Sequence, residues 1–140
     1  MTKPKLRIGL IGTGFMGKAH VFGFTSAPRV FELPYDLVLH TVADITPEAA
    51  ARAAQTLGFA HSTADWRSII ADPEIDLVSI TAPNALHKEM SLAAIAAGKH
   101  VYCEKPLAPL ANDALEMTLA AEARGVKTQV GFNYLCNPML

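Results

Sequence analysis

The chain has 140 residues, 51% hydrophobic and 18% charged, with a formal net charge of −1. That length and balance suit one globular domain burying roughly two-thirds of its unfolded surface, and a near-neutral chain offers no basic field for nucleic acid or an anionic membrane. No apolar run reaches the about 18 residues of a membrane span, and the short, glycine-broken apolar start does not read as a signal peptide, so a cytoplasmic protein is expected.

The elements alternate along the chain. LRIGLIG reads as a strand buried on both faces, and FMGKAHVFGFTS as the helix after it. APRVFELPYD is the one long connection, either a rim insertion or a loop packed on the sheet edge. YDLVLHTVAD is a second strand. TPEAAARAAQTLG is a helix with Thr46 as cap, Pro47 at its first position and Gly58 past its end. A short segment near FAHST precedes a helix over ADWRSIIA. IDLVSITA is a strand, NALHKEMSLAAIAAG a helix closed by Gly98, HVYCE a strand, PLANDALEMTLAAEARG a helix and VKTQVGF a last strand. Strands without polar alternation, joined by helices, predict an α/β fold with a doubly wound, mostly parallel sheet covered on both faces.

The first strand ends in Gly12-Thr13-Gly14-Phe15-Met16-Gly17. In a dinucleotide fingerprint the three glycines give a tight turn, backbone approach to a pyrophosphate and close helix packing. The helix start adds free N–H groups and the positive end of a dipole. A glycine loop kept for packing alone, or an S-adenosylmethionine site, would look similar. Asp44 closes the second strand, where an acid holds the adenosine ribose. It comes later than the usual spacing of about 20 residues, an excess the APRVFELPYD segment accounts for. Asp44 would repel a 2′-phosphate, and Ile45 and Thr46 supply no arginine to neutralise one. NAD is therefore expected over NADP, although Arg52 stands one turn into the next helix. The bland alternative for Asp44 is a turn residue before a capped helix.

Further along, Ala82, Pro83, Asn84 and His87 follow a main strand at the carboxyl edge, where open α/β sheets bind ligands. Asn84 serves equally well as a helix cap, and His87 as a structural histidine or one reaching toward substrate. His20, His40, His61 and His100 show no constellation in the sequence. Cys103 and Cys136 lack metal-ligand spacing and read as reduced thiols. In YCEKPLAP the proline ends a strand, so Lys105 is displayed where the chain leaves the sheet. By itself that lysine is as well explained by a solvated charge as by chemistry.

Together the glycine loop at 12–17, TAPNALH at 81–87, AGKHVYCEKPLA at 97–108 and VGFNYLCNP at 130–138 resemble the N-terminal half of the glucose–fructose oxidoreductase and inositol dehydrogenase (Gfo/Idh/MocA) family. The resemblance runs the whole length and implies hydride transfer between a nicotinamide and a sugar, polyol or related alcohol. It implies that Lys105 is the catalytic cation polarising the reacting oxygen. It also implies that Glu104 contacts the nicotinamide ribose or orients the lysine, and that 82–87 lines the cofactor cleft. Asn133 and Tyr134 match the segment entering a second domain. Leu135 stands where members often carry an arginine, whose role is not carried over.

The expected organisation is a dinucleotide-binding domain at 1–131 and, at 132–140, the start of a connection to a missing substrate and dimerisation domain. The apolar end CNPML reads as an interruption. Cofactor binding without efficient turnover is expected of this chain, with homo-oligomerisation assigned to the missing part. Apolar surface near Phe132 and Tyr134 should favour self-association. The same family includes a non-catalytic dinucleotide sensor, a second reading that an intact Glu-Lys-Pro argues against.

Overall fold

In the computed structural model, which describes residues 2–136 and 138 (Cys136 in its backbone alone), every strand runs parallel. The order of elements is β1 (Lys5–Ile11), α1 (Phe15–Val30), β2 (Asp36–Ala43), α2 (Pro47–Leu57), β3 (His61–Thr63), α3 (Trp66–Ala71), β4 (Leu77–Ile80), α4 (His87–Ala96), β5 (His100–Cys103), α5 (Ala111–Arg124) and β6 (Thr128–Val130). Single turns of 3-10 helix cover Asn84–Leu86 and Asn133–Cys136. The sheet order β3-β2-β1-β4-β5-β6 places the first strand of each half side by side. The chain therefore reverses direction across the sheet between β1 and β4, the switch point where such folds open a crevice.

Alternate residues of each strand feed opposite faces, as the period of two requires. Leu10 and Val42 pack with Val21 and Phe59 beneath α1 and α2. Their neighbours Ile11 and Ala43 join Ile69, Ile80, Met90, Ile95, Val101 and Ala121 beneath α3, α4 and α5. Ile8, Leu10, Ile69 and Ile80 are wholly buried, each contributing about 1.5–3 kcal/mol of transfer free energy. Helices on both faces explain why the central strands carry almost no polar alternation.

Helix α2 forms as its sequence indicates. The Thr46 hydroxyl accepts from Ala49 N–H, and Pro47 opens the first turn. Two elements depart from expectation. Helix α1 runs to Val30 with Pro28 inside it. The proline forgoes one backbone donor, but its fixed φ is already helical, and the ladder resumes with Phe31 N–H donating to Ala27 O at 2.8 Å. The residues that delay Asp44 thus lengthen a helix. The remaining connection, 31–35, leads into Asp36, which pairs with Lys5 at the start of β1. It lies at the amino edge, away from the glycine loop, so the rim-insertion reading is wrong. Helix α4 begins at His87, after the 3-10 turn at Asn84–Leu86, and neither start has a side-chain cap. Asn84 is therefore not a cap.

Among the described residues no helix is long and apolar enough to cross a membrane. Cys103 is a free, buried thiol whose pKa burial pushes up to about 11. Of the expected connecting segment at 132–140, Asn137, Met139 and Leu140 lie outside the described residues.

Candidate functional site

The glycine loop sits at the carboxyl end of β1, against the first residues after β4. Thr81 N–H donates to Ile11 O at 2.9 Å, and its hydroxyl donates to Gly12 O at 2.7 Å. Gly12 has φ +93°, and a Cβ there would stand 2.8 Å from Thr81 O. A Cβ on Gly17 would stand 2.3 Å from Gly12 O, so helix α1 can approach its strand only through glycine. Gly14 differs. Among the described residues no atom lies within 4 Å of where its Cβ would be. The protein's own packing does not require glycine there, whereas a ligand pressed against the loop would. No side chain caps α1, and its first turn holds no acid, so the amides of its first turn remain open to an anion.

Above the switch point lies a cleft of about 610 Å³, within the range of small-molecule and cofactor sites. Gly12, Thr13, Gly14, Phe15 and Met16 form one wall; Thr81, Ala82 and Pro83 form the other. Asp44 closes one end. Its Oδ1 accepts from Ile45 N–H at 2.7 Å, and its Oδ2 accepts from the Thr13 hydroxyl. An ionised carboxylate has about four acceptor positions, which leaves two for a diol. Beside it Ile45, Ala64, Trp66 and Leu86 supply an apolar slot, and the Arg67 guanidinium lies 4.5 Å from the Trp66 ring centroid. Sequence reading missed this slot; an aromatic directly after the Asp65 cap was its one signal. Lys18 and Arg52 line a neighbouring hollow with Thr13.

The second group of expected residues divides. Lys105 is exposed after β5, makes no ion pair among the described residues, and precedes a cis peptide bond to Pro106. Pro83 and Asn84 are exposed, though only Pro83 lines the cleft. Glu104 and His87 are turned inward. His87 is 0% exposed; its Nδ1 lies 2.8 Å from Pro106 O and its Nε2 2.9 Å from Ala82 O. That ring braces the cleft wall to the lysine turn and does not face the cleft. Glu104 is 6% exposed, with Oε1 3.0 Å from His20 Nε2 and Oε2 accepting from Lys105 N–H at 3.1 Å. Its carboxylate thus bonds inward, to the His20 ring and to the backbone of the lysine turn.

His20 is the residue whose constellation was invisible. It lies beneath the lysine turn with Nδ1 2.8 Å from Ser79 Oγ. Its ring stacks on Tyr102, with centroids 4.2 Å apart and planes at 11°. Ser79, His20 and Glu104 have the composition of a hydrolytic triad, but Ser79 is 0% exposed and His20 5%. No substrate reaches such a hydroxyl. The available signal was helical spacing, since His20 shares the buried face of α1 with Gly17 and Val21.

A parallel sheet with a glycine loop, open helix amides and a cleft-end carboxylate at its switch point defines a dinucleotide-binding α/β domain. Residues 6–132 match the oxidoreductase family with an NAD-binding Rossmann fold, and the chain belongs to that Gfo/Idh/MocA family. It is 46% identical over 134 residues to a levoglucosan dehydrogenase from Pseudarthrobacter phenanthrenivorans, covering 95% of this chain and 34% of that protein. An inositol 2-dehydrogenase from Saccharopolyspora erythraea is 38% identical over 128 residues, covering 91% of this chain and 36% of that one. Among solved structures, a levoglucosan dehydrogenase complex with NADH superposes with a TM-score of 0.90 at 46% identity, covering 93% of this chain and 35% of that one. An NAD-binding oxidoreductase from Klebsiella pneumoniae gives 0.92 at 49%, covering 96% and 36%. The chain thus spans about a third of the length of these relatives.

Proposed function

We propose that this chain is the nicotinamide-cofactor half of a dehydrogenase that oxidises a hydroxyl of a sugar, polyol or related alcohol. The observation that carries the reading is the glycine loop opening on the switch-point cleft, with free space at Gly14 where a pyrophosphate would press. The open amides at the start of α1 bind the phosphates. Asp44, held by Thr13 and Ile45 N–H, takes the adenosine ribose hydroxyls, and the slot by Trp66 takes the adenine. NAD is preferred to NADP, because a 2′-phosphate would meet the Asp44 carboxylate; Lys18 and Arg52 nearby moderate that preference. When bound, the nicotinamide supplies the hydride acceptor. Lys105, exposed at the end of β5 and without an ion pair among the described residues, places a cation beside the reacting oxygen and lowers the cost of its developing charge. Cytoplasmic placement goes with this reading.

The remaining substrate contacts and acid–base groups, and an oligomeric interface, are assigned to sequence beyond these residues, since the relatives are about three times as long. The first domain occupies 1–131, and 132–140 begins the connection. The test is to incubate the folded chain with NAD and a panel of sugars and polyols, following nicotinamide reduction. Cofactor binding with negligible reduction is expected. Sustained turnover by this chain alone would refute the division of labour.

A further inference from the structure

We propose that His20 is a positioning residue for Lys105, transmitting the state of the cofactor-bound glycine loop to the lysine turn; this rests on the dinucleotide reading above. His20 stands on α1, whose first turn forms one wall of the cleft. Its Nε2 meets Glu104 Oε1, and the other oxygen of the same carboxylate accepts from Lys105 N–H. One hydrogen-bonded path therefore runs from the phosphate-binding helix to the backbone of the cation.

The path has little freedom. A neutral ring satisfies both partners when Ser79 donates to Nδ1 and Nε2–H donates to Glu104. Tyr102 lies flat against one face of the ring, and Phe24 meets it edge-on with centroids 6.3 Å apart. On the far side, a Cβ on Gly131 would stand 2.5 Å from Glu104 Oε1, so the carboxylate is packed directly against that backbone. Any shift that bound phosphates impose on α1 reaches His20, and Glu104, bonded to both His20 and Lys105 N–H, passes it to the turn. Charge-assisted hydrogen bonds in a water-poor setting make such a coupling stiff.

The test follows the Lys105 ammonium directly. Lysines of the 140-residue chain are reductively methylated with a carbon-13 label, the Lys105 resonance is assigned with Lys105→Arg, and ADP-ribose, which fills the phosphate loop but brings no nicotinamide ring against Lys105, is titrated. In the parent chain ADP-ribose displaces that resonance. In His20→Phe, which keeps the stack and loses both hydrogen bonds, the displacement falls by at least about half while ADP-ribose affinity changes by less than about threefold. His20→Gln, which restores an N–H donor toward Glu104, recovers it. If His20→Phe does not fold, Ser79→Ala is the substitute and gives a partial loss. An undiminished displacement in His20→Phe or Ser79→Ala, or no recovery in His20→Gln, overturns the inference. Failure of the folded parent chain to bind ADP-ribose overturns the dinucleotide reading instead.

Discussion

The glycine loop and the lysine turn sit at the same edge of one sheet, yet they use their marked residues in opposite ways. At the loop the residues face the cleft, and their value lies in backbone left uncovered: Gly12 and Gly17 are forced by contacts within the protein, Gly14 only by what would come from outside. At the lysine turn one side chain, Lys105, is presented, while Glu104 and His87 are spent inside holding it. Membership of a motif therefore does not predict whether a side chain is presented or turned inward. Burial and the partners of its polar atoms show which.

The sharpest way to break this contrast is within the turn. Glu104→Ala should destabilise the chain by about 3 kcal/mol in urea unfolding, because it strands the buried His20 ring. Lys105→Ala, at an exposed site with no ion pair among the described residues, should stay within about 0.5 kcal/mol of the parent. Equal losses in the two variants would show that the division into holder and held is false.

Within the loop the contrast is between glycines. Gly17→Ala drives a methyl onto Gly12 O and should cost about 1–3 kcal/mol. Gly14→Ala meets open space and should leave stability within about 0.5 kcal/mol. Its NADH affinity, read by calorimetry, should nevertheless fall about tenfold. Unchanged affinity in Gly14→Ala would mean that no ligand approaches the loop there.

Alkaline pH probes the strand that leads into the turn. The Cys103 thiol is raised from 9.0 to about 11 by burial, so the folded state holds its proton where the unfolded chain has lost it. That contribution is complete below 9.0 and is lost as pH rises toward 11, amounting to about 2–3 kcal/mol. Buried Lys99 acts in the opposite sense: desolvation lowers its pKa, so its burial penalty is relieved as pH rises toward 10.5. Cys103→Val should therefore make the pH slope of stability in this window less negative. An unaltered slope would show that the thiol is not desolvated in solution.

The fold was legible because its signals are local. Glycine, proline and Thr46 punctuate the helices, and unbroken apolar runs mark strands covered on both sides. The cleft's glycine wall and Asp44 were legible for the same reason, since strand, turn and helix follow one another directly. The length of α1 was not, because a proline near a helix end forbids only one hydrogen bond and gives the appearance of a stop. The inward turn of Glu104 was not legible either: its partner His20 is 84 residues away in sequence, and only the sheet order brings them together. The Trp66 slot has the same origin, assembled from segments after three different strands.

The central claim, that the switch-point cleft is a nicotinamide-dinucleotide site closed by Asp44, is tested most directly by calorimetric titration of the folded chain with NADH and then NADPH, repeated in Asp44→Ala. The account predicts tighter binding of NADH than of NADPH, and a weakening of NADH with little change for NADPH when Asp44 is removed. Tighter NADPH binding, or NADH binding indifferent to Asp44→Ala, would contradict it.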